Sequence, residues 1–261
     1  MTARGLEGPT AERAVGRAQL PIQAVLFDLD DTLLDTASAF GAAVAAIATE
    51  FLPDLPAERH PEVVATWRLD RGGHYQAHVE GRIDYFTQRL ARAQEIQTVF
   101  GGQPLDADGF TRWGRVWDEA FAGAWCVFDD TAAALERLRG LGLPVGCVTN
   151  ADRAQQERKL AATGLTDHLP LLVTLDTFGV GKPDPRVFHE GARLLEVDPA
   201  RVLYIGDEPV IDARAATEAG LRGVWLDRPG RRRGHAGEDA AALRRHGIPV
   251  IEELAGLHDL L

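Results

Sequence analysis

Along the chain the apolar residues follow two rhythms. Short apolar runs at Ala24–Phe27, Val145–Val148, Leu171–Val173, Val202–Ile205, Val224–Leu226 and Pro249–Ile251 have the pattern of strands buried on both faces. Segments at helical spacing stand between them from Asp129 onward. Ala134, Leu135, Leu138 and Leu141 mark one helix, and Arg153–Thr163 a charged one that stops at Gly164. Pro185–Glu196 turns Phe188, Ala192 and Leu195 inward, and Pro209 opens a helix carrying Ile211, Ala215 and Ala219. Strands alternating with helices predict an α/β fold, a parallel sheet with helices on both faces.

The stretch from about Ala37 to Trp125 has only the second rhythm. Phe40, Val44, Ile47 and Phe51, then Ile83, Phe86 and Leu90, then Phe110, Trp113, Trp117 and Phe121 recur at helical spacing. Breaks fall at Pro53, Pro56, Pro61, Gly72-Gly73, Gly101-Gly102 and Pro104. The spacing predicts about four helices and no strand, with Trp67, Trp113, Trp117 and Trp125 in their core. The expected organisation is a tail over 1–20, a core formed by 21–36 and 127–261, and a helical insertion over 37–126.

Charge narrows the function classes. Lys and Arg number 28 against 39 Asp and Glu, a formal net charge of −11, which disfavours non-specific binding to nucleic acid or to an anionic membrane. No apolar run approaches a membrane span. The first twenty residues lack the apolar region of a signal peptide, so a loosely ordered tail and a cytoplasmic protein are expected. Cys126 and Cys147 have no partner at zinc-ligand spacing and are expected to be buried thiols. The basic run Arg231–Arg233 reads as a solvated loop.

Candidate chemistry begins where the first strand ends. Asp28, Asp30, Asp31 and Asp35 follow the apolar run within eight residues. Like charges so close to a buried strand are costly unless a cation or protons neutralise them. A helix cap accounts for Asp31 or Thr32, but not for an aspartate on each side of Leu29. In open α/β sheets ligands sit beyond the carboxyl ends of the strands. Three such ends present Asp28/Asp30, Thr149/Asn150 and Gly206-Asp207, and Gly181-Lys182-Pro183-Asp184 follows a fourth. Together they supply what phosphoryl transfer needs: a carboxylate nucleophile, acid/base help, and a cation with donors for the equatorial oxygens.

Each partner also has a plainer reading. Thr149-Asn150 suits a helix cap, Lys182 a surface lysine in a Gly/Pro loop that folding does not need, and Asp212 a complement to a helix dipole. The segment Gly179–Pro183 is not a P-loop, because proline stands where Ser or Thr should follow the lysine.

Four segments in order resemble the motifs of the haloacid dehalogenase (HAD) superfamily: FDLDDT (Phe27–Thr32), Thr149, Lys182-Pro183-Asp184 and GDEPVID (Gly206–Asp212). The resemblance implies a Rossmann-like three-layer core with an inserted helical cap of the C1 class. It implies Asp28 as nucleophile, forming an aspartyl-phosphate, and Asp30 as general acid/base. Thr149 and Asn150 would hold the phosphoryl group, and Lys182 would neutralise charge on it. Mg²⁺ would sit on Asp28, Asp207 and the Asp30 carbonyl, with Asp212 orienting that shell; oxygen ligands suit this ion on physical grounds too.

The namesake dehalogenases resemble Asp-x-Tyr at the first motif, so Asp30 favours a phosphatase. The expected function is Mg²⁺-dependent hydrolysis of a small phosphorylated metabolite, as in the FDLDDTL-type phosphatases. A phosphomutase of the β-phosphoglucomutase type, with the same motifs, is the alternative, followed by a non-catalytic binding or regulatory protein. In the cap, Arg68, Arg71, His74, Tyr75 and His78 form a polar-aromatic cluster suited either to a solvated face or to reading the leaving group.

Overall fold

The computed structural model describes residues 20–231 and 240–261. The expected tail, apart from Leu20, lies outside the described residues, as do Arg232 and Arg233. Strand β1 (Ala24–Phe27) leads into five helices: α1 (Thr36–Phe51), α2 (His60–Leu69), α3 (His74–Val79), α4 (Tyr85–Phe100) and α5 (Ala107–Gly123). The chain then alternates through α6 (Thr131–Gly140), β2 (Val145–Val148), α7 (Arg153–Thr163), β3 (Leu172–Val173), the single turn α8 (Leu175–Phe178), α9 (Pro185–Leu194) and β4 (Val202–Gly206). A π-helical turn, Pro209–Arg214, runs into α10 (Ala215–Glu218), followed by β5 (Arg222–Leu226), α11 (Ala240–Arg245) and β6 (Val250–Ile251).

The six strands form one parallel sheet in the order β3-β2-β1-β4-β5-β6. The order reverses at β1, and the crevice beyond the carboxyl end of that strand is where such sheets bind ligands. Alternation divides the strands between two apolar layers. Val25, Phe27, Leu203 and Ile205 pack with Leu135 and Leu138 of α6 and Leu160 of α7. Ala24, Leu26, Val202 and Tyr204 pack on the other face with Val187, Phe188 and Ala192 of α9. With both faces covered, every residue of β1 and β4 is buried.

Helices α1–α5 enclose a third apolar cluster, in which Trp67, Trp113 and Trp117 stack with centroids 4.4–5.6 Å apart beside Phe110 and Phe121. Five α-helices occupy this segment rather than four. The extra one, α3, starts where the Asp70 carboxylate accepts from the backbone N–H of His74 at 3.0 Å and of Tyr75 at 2.9 Å.

The expected inner face of α4 is also different. Asp84 caps that helix by accepting from Thr87 N–H at 2.7 Å, which leaves Ile83 outside it. Phe86 is 62% exposed, edge-on against Phe110. Gln88, Arg92, Ala93, Ile96 and Gln97 are buried instead. Arg92 donates to the Trp67 carbonyl at 2.6 Å with its guanidinium 3.9 Å from that ring's centroid, so an amphipathic side chain fills the interior where a phenylalanine was expected.

Smaller corrections follow from local geometry. Leu141 closes α6 and is exposed. The π-helical turn rotates the face after Pro209, so Asp212 and Ala213 are buried while Ile211 is only partly so. Arg231 is not simply solvated: it grips the Asp35 carboxylate with two bonds, at 2.6 and 2.7 Å. Cys126 is exposed where the chain returns from α5, whereas Cys147 is buried in β2, where burial pushes its thiol pKa up. A maleimide added to the native protein is therefore expected to label Cys126 within minutes and to reach Cys147 only on unfolding, as peptide mass analysis would read. Equal labelling of both in the native state would contradict this packing.

Candidate active site

The parallel register brings the predicted segments together. Phe27 pairs with Ile205 on one side and Cys147 on the other, and Asp28 N–H donates to the Ile205 carbonyl at 2.8 Å. Residues just past these pairs, Asp28, Thr149 and Gly206-Asp207, therefore leave the sheet side by side. The sequence order of these segments is irrelevant to that meeting, because the strand order sets it.

Lys182 is the cation of the cluster. It is 3% exposed, and its Nζ donates to Asp28 Oδ1 at 2.6 Å, Asp212 Oδ1 at 2.6 Å and the Tyr204 hydroxyl at 3.0 Å. Burial alone would lower the lysine's pKa, but the charges of Asp212 and Asp28 outweigh it and raise the value well above normal. The plainer reading of Lys182 as a surface residue is corrected.

The loop that carries it is held by Asn150. Asn150 Nδ2 donates to the Lys182 carbonyl at 2.9 Å, and its Oδ1 accepts from Lys182 N–H at 2.6 Å. A side chain on Gly181 would put Cβ 2.3 Å from Asn150 Oδ1, so this approach requires glycine. Asp212 is fixed similarly: Tyr204 donates to its Oδ1 at 2.9 Å and Glu208 N–H to its Oδ2 at 3.0 Å. A Cβ at position 206 would lie 2.3 Å from Asp212 Cγ.

Asp28 is buried, and burial pushes its pKa up to about 7; Lys182 opposes the rise, while Asp212 and Asp30 add to it. Carboxylate oxygens of Asp28, Asp207 and Asp212 lie within 4.8 Å of one another. An all-oxygen trio around a partly exposed Asp207 fits a hard divalent cation.

Asp30, two residues from Asp28, faces other partners. Lys159 Nζ donates to its Oδ1 at 2.5 Å, Thr36 Oγ1 to the same oxygen at 2.6 Å, and Gln156 Nε2 to Oδ2 at 2.8 Å. Burial would raise its pKa, but Lys159's charge and these three donors hold it down at about 2. Asp31 is buried in a left-handed conformation, φ 63°, and accepts from Ala37 N–H at 2.6 Å. The helix cap is Asp35, which accepts from Ser38 N–H at 2.9 Å.

Sequence reasoning named Asp28, Asp30, Thr149, Asn150, Lys182, Asp207 and Asp212, and all line this end of the sheet. It missed Tyr204, Thr36, Gln156 and Lys159. Tyr204 is the one polar side chain in an otherwise aliphatic strand, which is a usable signal. Gln156 and Lys159 were hidden in a helix that reads only as charged.

Comparison with known proteins gives the family. The family model described as haloacid dehalogenase-like hydrolase matches residues 22–220. The phosphoglycolate phosphatase of Cupriavidus necator is 32% identical over 203 residues, 77% of this chain and 79% of that protein. The phosphoserine phosphatase of Thermus thermophilus is 36% identical over 102 residues, 39% of this chain and 41% of that one, so the match spans less than half of its length. A HAD hydrolase from Bacillus subtilis, solved with bound magnesium, shares the fold with a TM-score of 0.71 at 21% identity, covering 93% of this chain and 99% of its own. With the family model matched from β1 through α10, the helical insertion included, the chain belongs to the haloacid dehalogenase-like hydrolases.

Proposed function

We propose that this hydrolase is a phosphomonoesterase acting on a small phosphorylated metabolite through an aspartyl-phosphate on Asp28. The observation that carries the reading is the buried Lys182 ammonium, 2.6 Å from both Asp28 and Asp212, with Asp207 closing an acidic trio beside it. A binding protein gains nothing from so costly a charge cluster, whereas phosphoryl transfer needs each part of it. The phosphatase names of the relatives support hydrolysis over return of the phosphate to substrate.

In the first step an Asp28 oxygen attacks phosphorus. The bond from phosphorus to the leaving oxygen breaks, and that oxygen takes a proton from Asp30. In the second step Asp30 takes a proton from water as the water oxygen attacks phosphorus. The bond to Asp28 breaks, inorganic phosphate leaves and the carboxylate is restored. The Thr149 hydroxyl and the Asn150 backbone hold the phosphoryl oxygens, and Lys182 neutralises charge gathering there. Asp28, Asp207, the Asp30 carbonyl and Asp212 would hold Mg²⁺, whose contribution when bound is to neutralise phosphoryl charge. Asp30 is charged as it stands, the state that the second step needs. For the first step it must carry a proton while Lys159 favours the ion.

Residues 37–126 serve in this reading as a cap that excludes water and helps select the substrate. Support comes from three contacts across to the core: Arg68 to Asp31 at 3.4 Å, Tyr75 hydroxyl to the Asn150 carbonyl at 3.4 Å, and Gly181 N–H to the Val79 carbonyl at 3.1 Å. Arg68 and Tyr75 therefore stand where a leaving group would be read.

A panel of phosphorylated metabolites should release inorganic phosphate with Mg²⁺ present, and release should stop in excess EDTA. Turnover undiminished by EDTA would remove the metal from the mechanism. Lys182→Met should lower the rate on the order of 10²–10³-fold, the cost of losing one preorganised charge. The same change should destabilise the fold by about 3–5 kcal/mol, since it leaves two buried carboxylates without their cation. Calorimetry and kinetics on one preparation read both, and a wild-type melting temperature would show that the cluster does not depend on Lys182.

Metal binding should also depend on pH in a set direction. Asp28's folded pKa of about 7 lies above its ordinary 3.8, so the stability it contributes is present below pH 3.8 and lost as pH rises through 7. A divalent cation replaces the missing proton. Saturating Mg²⁺ should therefore raise the melting temperature more at pH 8 than at pH 5, and an equal shift at both would place the cation elsewhere.

A further inference from the structure

Helix α7 turns a polar face toward the site that the steps above do not use. Gln156 and Lys159, three positions apart, leave the same side of the helix, and both are buried, at 0% and 1% exposure. An ammonium in that place costs several kcal/mol unless it is paired and hydrogen-bonded. Its pair is the Asp30 carboxylate, where Lys159 meets Oδ1 at 2.5 Å and Gln156 Nε2 meets Oδ2 at 2.8 Å. The same Gln156 amide donates to Thr149 Oγ1 at 2.9 Å, so one side chain ties Asp30 to Thr149 at the end of β2.

Stability alone does not account for this choice. Gln156 Oε1 is buried with no hydrogen-bond partner among the described residues, a desolvated acceptor left unmatched. An apolar pair of similar volume would hold α7 on the sheet at least as well as a buried ion pair. What the polar pair adds is direction. The amide cannot flip without turning Oε1 toward the Asp30 charge, and the carboxylate cannot rotate without leaving a donor behind on each side. Lys159 also lies 5.6 Å from the centroid of Phe121 on α5, which limits its own freedom.

We propose that Lys159 and Gln156 are positioning residues that fix the Asp30 carboxylate relative to Thr149 and Asp28, so that it meets the leaving oxygen and then the water in one orientation. The inference rests on the acid/base reading of Asp30 and concerns only how that group is held.

The test is a double-mutant cycle on the full chain with Mg²⁺, using phenyl phosphate and p-nitrophenyl phosphate, whose leaving oxygens differ in basicity. Lys159→Met should lower kcat/KM for phenyl phosphate by about tenfold or more, a part of what losing acid/base help costs. The loss should be smaller with p-nitrophenyl phosphate, which needs less protonation. In an Asp30→Asn background the same Lys159→Met change should alter kcat/KM less than about twofold, because the group it positions is already gone. A purely structural lysine would shift the melting temperature without this dependence on leaving group and on Asp30.

Equal losses with and without Asp30, or equal losses on both substrates, would overturn the proposal while leaving the acid/base reading intact. A wild-type rate in Asp30→Asn alone would overturn both. If Lys159→Met does not fold, Gln156→Leu, which strands no charge, goes through the same cycle with the same expected pattern, and independence from Asp30 there overturns the proposal equally.

Discussion

One ammonium group stands between two buried carboxylates, and much of the site's geometry follows from it. Lys182 reaches Asp28 and Asp212 at 2.6 Å each, from a loop that is not part of the sheet. Holding that loop in place requires the Asn150 side chain on both sides of the Lys182 peptide, and room for it requires glycine at 181. Holding Asp212 requires the Tyr204 hydroxyl and a backbone donor, and its closeness to β4 requires glycine at 206. A buried ion cluster is an odd choice for stability alone, since desolvation offsets most of what the pairing contributes. These residues agree once the cluster is treated as one unit.

The two aspartates of the first loop illustrate how position divides chemistry between like groups. Asp28 is desolvated among other carboxylates and its pKa rises to about 7, whereas Asp30 is gripped by Lys159, Thr36 and Gln156 and falls to about 2. Carboxylates with environments that push them apart are the usual sign of separate roles. The proposed nucleophile and the proposed acid/base are separated here by one buried leucine, Leu29.

The core fold was readable because strand and helix differ in period. The runs at Ala24–Phe27 and Val145–Val148 are strands with those same bounds, and Arg153–Thr163 is a helix ended by Gly164 in the left-handed conformation. The site segments were readable because they follow strand ends, where parallel register forces neighbours together. What stayed hidden involved polar side chains turned inward. In α4 the buried face holds Arg92, Gln88 and Gln97, so hydrophobic spacing pointed to Phe86 on the wrong side. In α7, Lys159 is surrounded by Arg, Glu and Gln, and its burial depends on an aspartate 129 residues earlier. The π-helical turn at Pro209–Arg214 left Ile211 only partly buried, by a step that no helical period anticipates. Cys126 was misjudged for a related reason, since thiols are commonly buried and its exposure is set by where α5 ends.

The central claim is that Asp28 carries the phosphoryl group. The most direct measurement is rapid acid quench of the Asp30→Asn protein with p-nitrophenyl phosphate and Mg²⁺, followed by mass analysis of the peptide containing Asp28. Removing the base that activates water while the leaving group needs little help should trap the intermediate. The account predicts a phosphate-sized addition on that peptide, absent when Asp28 is also changed to Asn. Full turnover by Asp28→Asn, or a phosphate addition on some other residue, would contradict it.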